Sequence, residues 1–136
     1  MTKIGTSIGL GITAICAAVV LSGCGAPGAS YTVLDEPASA KDALPTDLPD
    51  YAFDEVDPAS ARSVGVHDAT SLWLLRGTDQ SICLFAYADS TTWFVACGGE
   101  TGVTTSGEAG HFQVVPDGAP EPSNGTRVSD NVYALG

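Results

Sequence analysis

Two cysteines that a single hairpin can set face to face constrain this chain more than any other feature. Apolar, strand-forming residues run from Ile82 to Tyr87 and again from Trp93 to Cys97, with Asp89-Ser90-Thr91 between them. A hairpin with this three-residue loop, centred on Ser90, pairs Tyr87 with Trp93, Phe85 with Val95 and Cys83 with Cys97 on one face, leaving Leu84, Ala86, Phe94 and Ala96 on the other. Side chains alternate with a period of two, so a slip of one residue would send every one of them to the wrong face.

The vocabulary around this hairpin is that of strands. From about Ala61 onward, Val, Thr, Tyr, Phe and Trp are separated by Gly, Asp and Ser. Strands are expected near residues 62–67, 71–75, 80–88, 92–97, 103–106, 112–115 and 127–135. Gly77-Thr78-Asp79, Gly98-Gly99, residues 107–110 and residues 116–125 supply the turns. No segment holds a 3.6-residue apolar period and no internal repeat is present. The expected fold is mainly β, a small antiparallel sheet that packs as a sandwich or curls into a partly closed barrel.

The N-terminus carries a different signal. Lys3 gives a short positive start, Ile4 to Leu21 carry no charge, and Leu21-Ser22-Gly23-Cys24 closes the apolar run with two small residues and a cysteine. This motif resembles the lipobox of bacterial lipoproteins. The resemblance implies removal of residues 1–23, a diacylglycerol with palmitate-type chains on the Cys24 thiol, and a mature chain of 113 residues lipid-anchored on the extracytoplasmic face of the cell membrane. No other cofactor is implied. Cys16 follows the bulky Ile15 and does not meet the pattern. The alternative is an uncleaved anchor, because about 18 uncharged residues is the lower limit for a spanning helix. Lys3 would then keep the N-terminus inside, so both readings place the rest of the chain outside the membrane. The shortage of Lys and the bias toward Ala, Gly and Asp are similar to the envelope lipoproteins of GC-rich actinobacteria.

Residues 24–60 read as an acidic, Pro-rich linker. Eight acids, from Asp35 to Asp57, face the single base Lys41, with Pro27, Pro37, Pro45, Pro49 and Pro58 interspersed. Such a stretch is expected to stay disordered and extended, holding a β domain of residues 61–136 tens of Å from the bilayer at ~3 Å per residue. The alternative within it is that Leu48, Tyr51, Phe53 and Val56 dock on the domain as a short edge segment. Outside the membrane, Cys83 and Cys97 are expected to oxidise. Closing a 15-residue loop stabilises by roughly 3 kcal/mol through the unfolded chain, although that mechanism is model-dependent. Free buried thiols are the alternative, and their spacing fits no paired zinc-ligand pattern.

Catalytic signals are weak. His67 and Asp68 are neighbours with serines nearby, yet adjacent strand residues point to opposite faces and no Gly-x-Ser-x-Gly elbow is present. His111 lacks the spacing of a metal motif, and no metal site is expected. Gly98-Gly99-Glu100-Thr101-Gly102 lacks the Lys-Ser/Thr ending of a phosphate loop. After Arg62 the chain has eight acids against Arg62, Arg76 and Arg127, a net of −5 counting Arg62, which excludes nucleic acid as a partner. Trp73, Tyr87 and Trp93 are the candidate binding aromatics, with Tyr133 a further large ring and core packing the competing use of all four. The Pro-rich loop of residues 118–123 is a weaker recognition candidate. The leading expectation is a non-catalytic interaction or ligand-binding module with an unknown protein or small-molecule partner. The alternatives are a small envelope hydrolase, an inhibitor of one, or a structural spacer.

Overall fold

The structure, a computed structural model, describes residues 29–136; Cys16 and the lipobox Leu21, Ser22, Gly23 and Cys24 lie outside the described residues. Among the described residues, eight strands form two antiparallel sheets. β1 (Val56–His67), β2 (Thr70–Gly77), β3 (Ile82–Asp89) and β4 (Thr92–Gly98) make one in the order β1-β2-β3-β4. β5 (Val103–Gly107), β6 (Gly110–Val114), β7 (Gly125–Arg127) and β8 (Val132–Leu135) make the other in the order β5-β6-β8-β7. The mainly β, antiparallel architecture is present as two small sheets that do not close into a barrel. Among the described residues no helix is long and apolar enough to cross a membrane.

The central hairpin has the register read from the sequence, with Tyr87 opposite Trp93, Phe85 opposite Val95, and Cys83 opposite and disulfide-bonded to Cys97. Its loop is tighter than expected. Asp89 pairs with Thr92, and a register shift between Tyr87 and Asp89 takes up the extra residue as a bulge. Asp89 Oδ1 accepts hydrogen bonds from Thr91 N–H, Thr91 Oγ1 and Thr92 N–H, which satisfies the turn locally. The strand expected over residues 127–135 is two strands, because Val128 and Ser129 N–H both bond Val132 O and reverse the chain. At the β1–β2 turn Asp68 (φ 47°) and Ala69 (φ 65°) both take left-handed backbone, the form that lets a two-residue connection follow the strand twist.

The two sheets share one core. Leu72, Leu74, Ile82, Leu84 and Ala86 of the first sheet meet Phe112, Val114, Val132 and Ala134 of the second. Gly102 lets β5 start close against β6 within the second sheet: it has φ 111°, and a Cβ there would lie 2.0 Å from Val114 O, so no larger residue fits.

The largest departure from expectation is the acidic segment. Residues 29–55 are a packed arm, not an extended spacer. Three short 3-10 turns, Thr32–Asp35, Ala40–Asp42 and Asp50–Phe53, carry it across the first sheet. Tyr31 and Leu34 enter the inter-sheet core. Leu44, Leu48 and Phe53, followed by Val56 at the start of β1, cover the outer face formed by Trp73, Leu75, Cys83 and Phe85. Leu48 and Phe53 therefore dock, but over the outer face of the sheet and not as an edge segment; Val56 opens the edge strand β1, and Tyr51 is the member left outside at 67% exposed.

Two carboxylates hold the arm down. Asp42 is buried; its Oδ2 accepts from Ser39 N–H and Oγ, and its Oδ1 accepts from Ser63 N–H of β1 at 2.8 Å. Asp117 accepts from Ser30 Oγ, Thr32 N–H, Thr32 Oγ1 and Asn131 Nδ2. Asp42, one of the acids that made residues 24–60 read as a disordered linker, is thus used by the fold as an acceptor for backbone and hydroxyl donors. The prolines lower the entropy that ordering the arm must overcome.

Candidate functional site

Phe85, fully buried in β3, is the hub of an aromatic layer on the outer face of the first sheet. Its ring stacks on Trp73 at 5.3 Å, meets Phe53 edge-on at 5.3 Å, and lies 6.1 Å from Tyr87 and 6.3 Å from Trp93. β-Pairing dictates this arrangement: Trp73, Phe85, and the Tyr87–Trp93 pair share one face of adjacent strands.

The three candidate binding aromatics therefore divide. Trp73 is buried and belongs to the core, covered by the arm, and its Nε1 has no hydrogen-bond partner among the described residues. Such an unpaired donor costs about 1–3 kcal/mol, which ring packing must offset. Tyr133 is also buried. Tyr87 and Trp93 are half-buried and reach the rim. There the arm adds Tyr51, whose ring centroid is 6.3 Å from that of Trp93 at 41°. In the sequence, Tyr51 is tied to this surface only by its proximity to Leu48, Phe53 and Val56, and Asp47 carries no signal of its own.

The rim is negatively charged. Tyr87 Oη donates to Asp47 Oδ2 at 2.7 Å. That bond, followed by burial and by the charges of Asp47 and Asp89, raises the phenol above its ordinary value. No Lys or Arg occurs in residues 44–54 or 82–98, the segments that build this surface.

Two cavities elsewhere carry polar chemistry. One, of about 420 Å³, is lined by His67, Asp68, Glu108 and His111 together with Thr70 and Phe112. His67 Nε2 lies 3.2 Å from Asp68 Oδ2 despite their adjacency, because Asp68 sits in the turn and not on the strand. Thr70 Oγ1 donates to Ala109 O and is buried, and no serine lines this cavity. The residues for a Ser-His-Asp arrangement are therefore not brought together there. The other cavity, also of about 420 Å³, follows the seam between arm and sheet and is lined by Glu36, Lys41, Gly65, Asp117 and Asn131 among others. Among the described residues no group of three or more His, Cys, Asp or Glu side chains is placed to hold a metal ion.

The Gly98–Gly102 stretch is a turn closed by Gly102 N–H to Gly99 O, and Pro122–Gly125 forms another closed by Gly125 N–H to Pro122 O. Comparison with known proteins gave no match: no family model, no curated protein and no solved structure matches this chain.

Proposed function

We propose that this protein is a lipid-anchored extracytoplasmic lipoprotein whose folded part is a non-catalytic binding module, working through the Tyr51–Trp93 surface. The single observation that carries the reading is the exposure of Tyr51 beside Trp93 on an otherwise well-packed face. Large rings left at a rim over a rigid, buried aromatic layer offer contact area at little entropic cost. The Cys83–Cys97 disulfide supports a location outside the reducing cytoplasm.

In this reading the anchor is a diacylglycerol on Cys24, whose two acyl chains are what stable attachment requires. The packed arm leaves that anchor a short tether. Ala29 already packs against the core, so only residues 25–28 separate the lipidated cysteine from the domain. Five chain steps reach at most ~18 Å, which holds the domain close to the headgroups. The alternative, a small hydrolase, rests on the cavity that holds His67 and His111.

The test is in-cell crosslinking of the tagged, membrane-anchored protein, with mass spectrometry of what it retains, in the wild type and in a Tyr51→Ala, Trp93→Leu variant. A recurrent partner that the variant loses is the expected result. Recovery of the protein alone, with a control protein crosslinking efficiently, would overturn the binding reading.

A further inference from the structure

We infer that the Tyr51–Trp93 surface takes a cationic partner, specifically an Arg- or Lys-bearing extended segment of another protein; this rests on the binding-module reading and names its ligand class. Two features coincide at the site and argue for charge complementarity. The first is the pair of rings, Tyr51 exposed and Trp93 half-buried, with centroids 6.3 Å apart. Aromatic faces attract cations through the ring quadrupole, Trp most strongly and guanidinium groups more often than ammonium groups.

The second is the disposition of carboxylates and cations. Asp47 is bonded to Tyr87 through Oδ2, and Asp89 receives its three hairpin bonds at Oδ1. Each thus keeps a second oxygen that accepts no hydrogen bond among the described residues. Both charges act on Tyr87, which pairs across the strands with Trp93. Asp50 lies next to Tyr51 in the same 3-10 turn. Two of the four cations among the described residues are engaged elsewhere, Arg62 donating to Glu36 O, Ala59 O and Ala61 O and Arg127 pairing with Asp130 and Glu121, while Lys41 lines the arm–sheet cavity and Arg76 acts on Tyr31. Rings that bind a cation face are therefore bordered by acids that bind its charge, with no base on the segments that build the surface.

A neutral glycan would stack on the rings and donate hydroxyls to the carboxylates without neutralising their charge, whereas an acidic partner would be repelled. The geometry accordingly favours a guanidinium seated against Tyr51 and Trp93, with its N–H groups directed to Asp47 or Asp89.

The experiment titrates the full-length protein, solubilised in a non-ionic detergent, into a fluorescent decapeptide of alternating Gly and Arg. The same peptide with citrulline replacing every Arg, which keeps the shape and removes the charge, is run beside it. Anisotropy should report binding of the Arg peptide that is at least about tenfold tighter than of the citrulline peptide, and it should weaken with salt. Tyr51→Ala, which removes an exposed side chain and leaves the fold intact, should weaken binding about fivefold or more, as should Asp47→Asn with Asp89→Asn. Thermal melting of each variant verifies that it is folded. Equal binding of both peptides would overturn the cationic assignment and leave the surface as a binding site. Arg-peptide binding that Tyr51→Ala does not change would place the attraction on the general acidic surface and overturn it as well. No peptide binding while the in-cell partner persists and depends on Tyr51 and Trp93 would overturn this inference alone.

Discussion

Removing the Asp42 carboxylate should loosen the arm from the sheet it covers. Ser63 lies where β1 shifts register against β2, and its N–H is satisfied by Asp42 Oδ1 at 2.8 Å. A hydrogen bond from a part-buried donor to a charged acceptor contributes about 1.5–3 kcal/mol. The reciprocal cap with Ser39 adds about 0.5–2 kcal/mol, of which exposed Ser39 recovers a share from water. Asp42→Ala should therefore destabilise by about 2–4 kcal/mol, a fall in Tm on the order of 10–20 °C for a domain of this size. Burial works to raise the Asp42 pKa, yet the bonds from Ser39 and Ser63 outweigh it and hold the group below its ordinary 3.8. A group depressed in the folded state contributes its stability above the unfolded value and loses it as pH falls through the folded value. Urea denaturation of wild type and variant from pH 8 downward should show a constant difference to about pH 5 that shrinks below about pH 4. Equal stability at pH 7, or a difference that persists undiminished at pH 2, would refute the assignment of Asp42 as the clasp.

Three further outcomes rest on the same packing. Cys83→Ala with Cys97→Ala should cost roughly 3 kcal/mol in urea denaturation, and alkylation of the unfolded, non-reduced protein should leave both wild-type cysteines unlabelled; labelled Cys83 and Cys97 peptides would contradict the bond. Ala69→Gly, which relieves a non-glycine residue at φ 65°, should stabilise by up to about 1 kcal/mol, and a lower Tm would count against strain at that turn. Burial pushes the Tyr31 phenol up to about 12, so its folded form keeps a proton that the unfolded chain releases near 10, and stability should fall as pH rises from 10 to 12. Tyr31→Phe should remove that component of alkaline unfolding, at the cost of the bond to Glu100 O, about 1 kcal/mol; unchanged alkaline unfolding would show that another group carries it.

The features legible in the sequence were those that depend on local pairing. The Cys83–Cys97 register comes from a period of two on either side of a short turn, and the structure has it, with a bulge the sequence did not announce. The division of the 127–135 segment was signalled by the turn cluster Ser129-Asp130-Asn131, which a single strand over those residues passes through. The arm's docking was masked because its charges dominate its composition and its apolar residues are scattered. A signal was present in β2 and β3. Leu72–Leu75 and Ile82–Ala86 are continuous apolar runs, and strands with one face in water should alternate. Both faces of those strands had to be covered, and Tyr31, Leu34, Leu44, Leu48 and Phe53 were the chain's remaining means of covering them. The candidate site inherited the same gap: Trp93 and Tyr87 were visible as strand aromatics, whereas Tyr51 and Asp47 join them only through the arm's path.

The proposed compartment accords with the Cys83–Cys97 disulfide. The measurement that tests it most directly is the intact mass of the protein extracted from membranes, compared with a Cys24→Ala variant. The account predicts a chain beginning at Cys24 and carrying the added mass of a diacylglycerol, and a variant that is either released or left as a full-length precursor. A wild-type chain that retains Met1 and bears no lipid, or a Cys24→Ala protein still processed and lipidated, would contradict it.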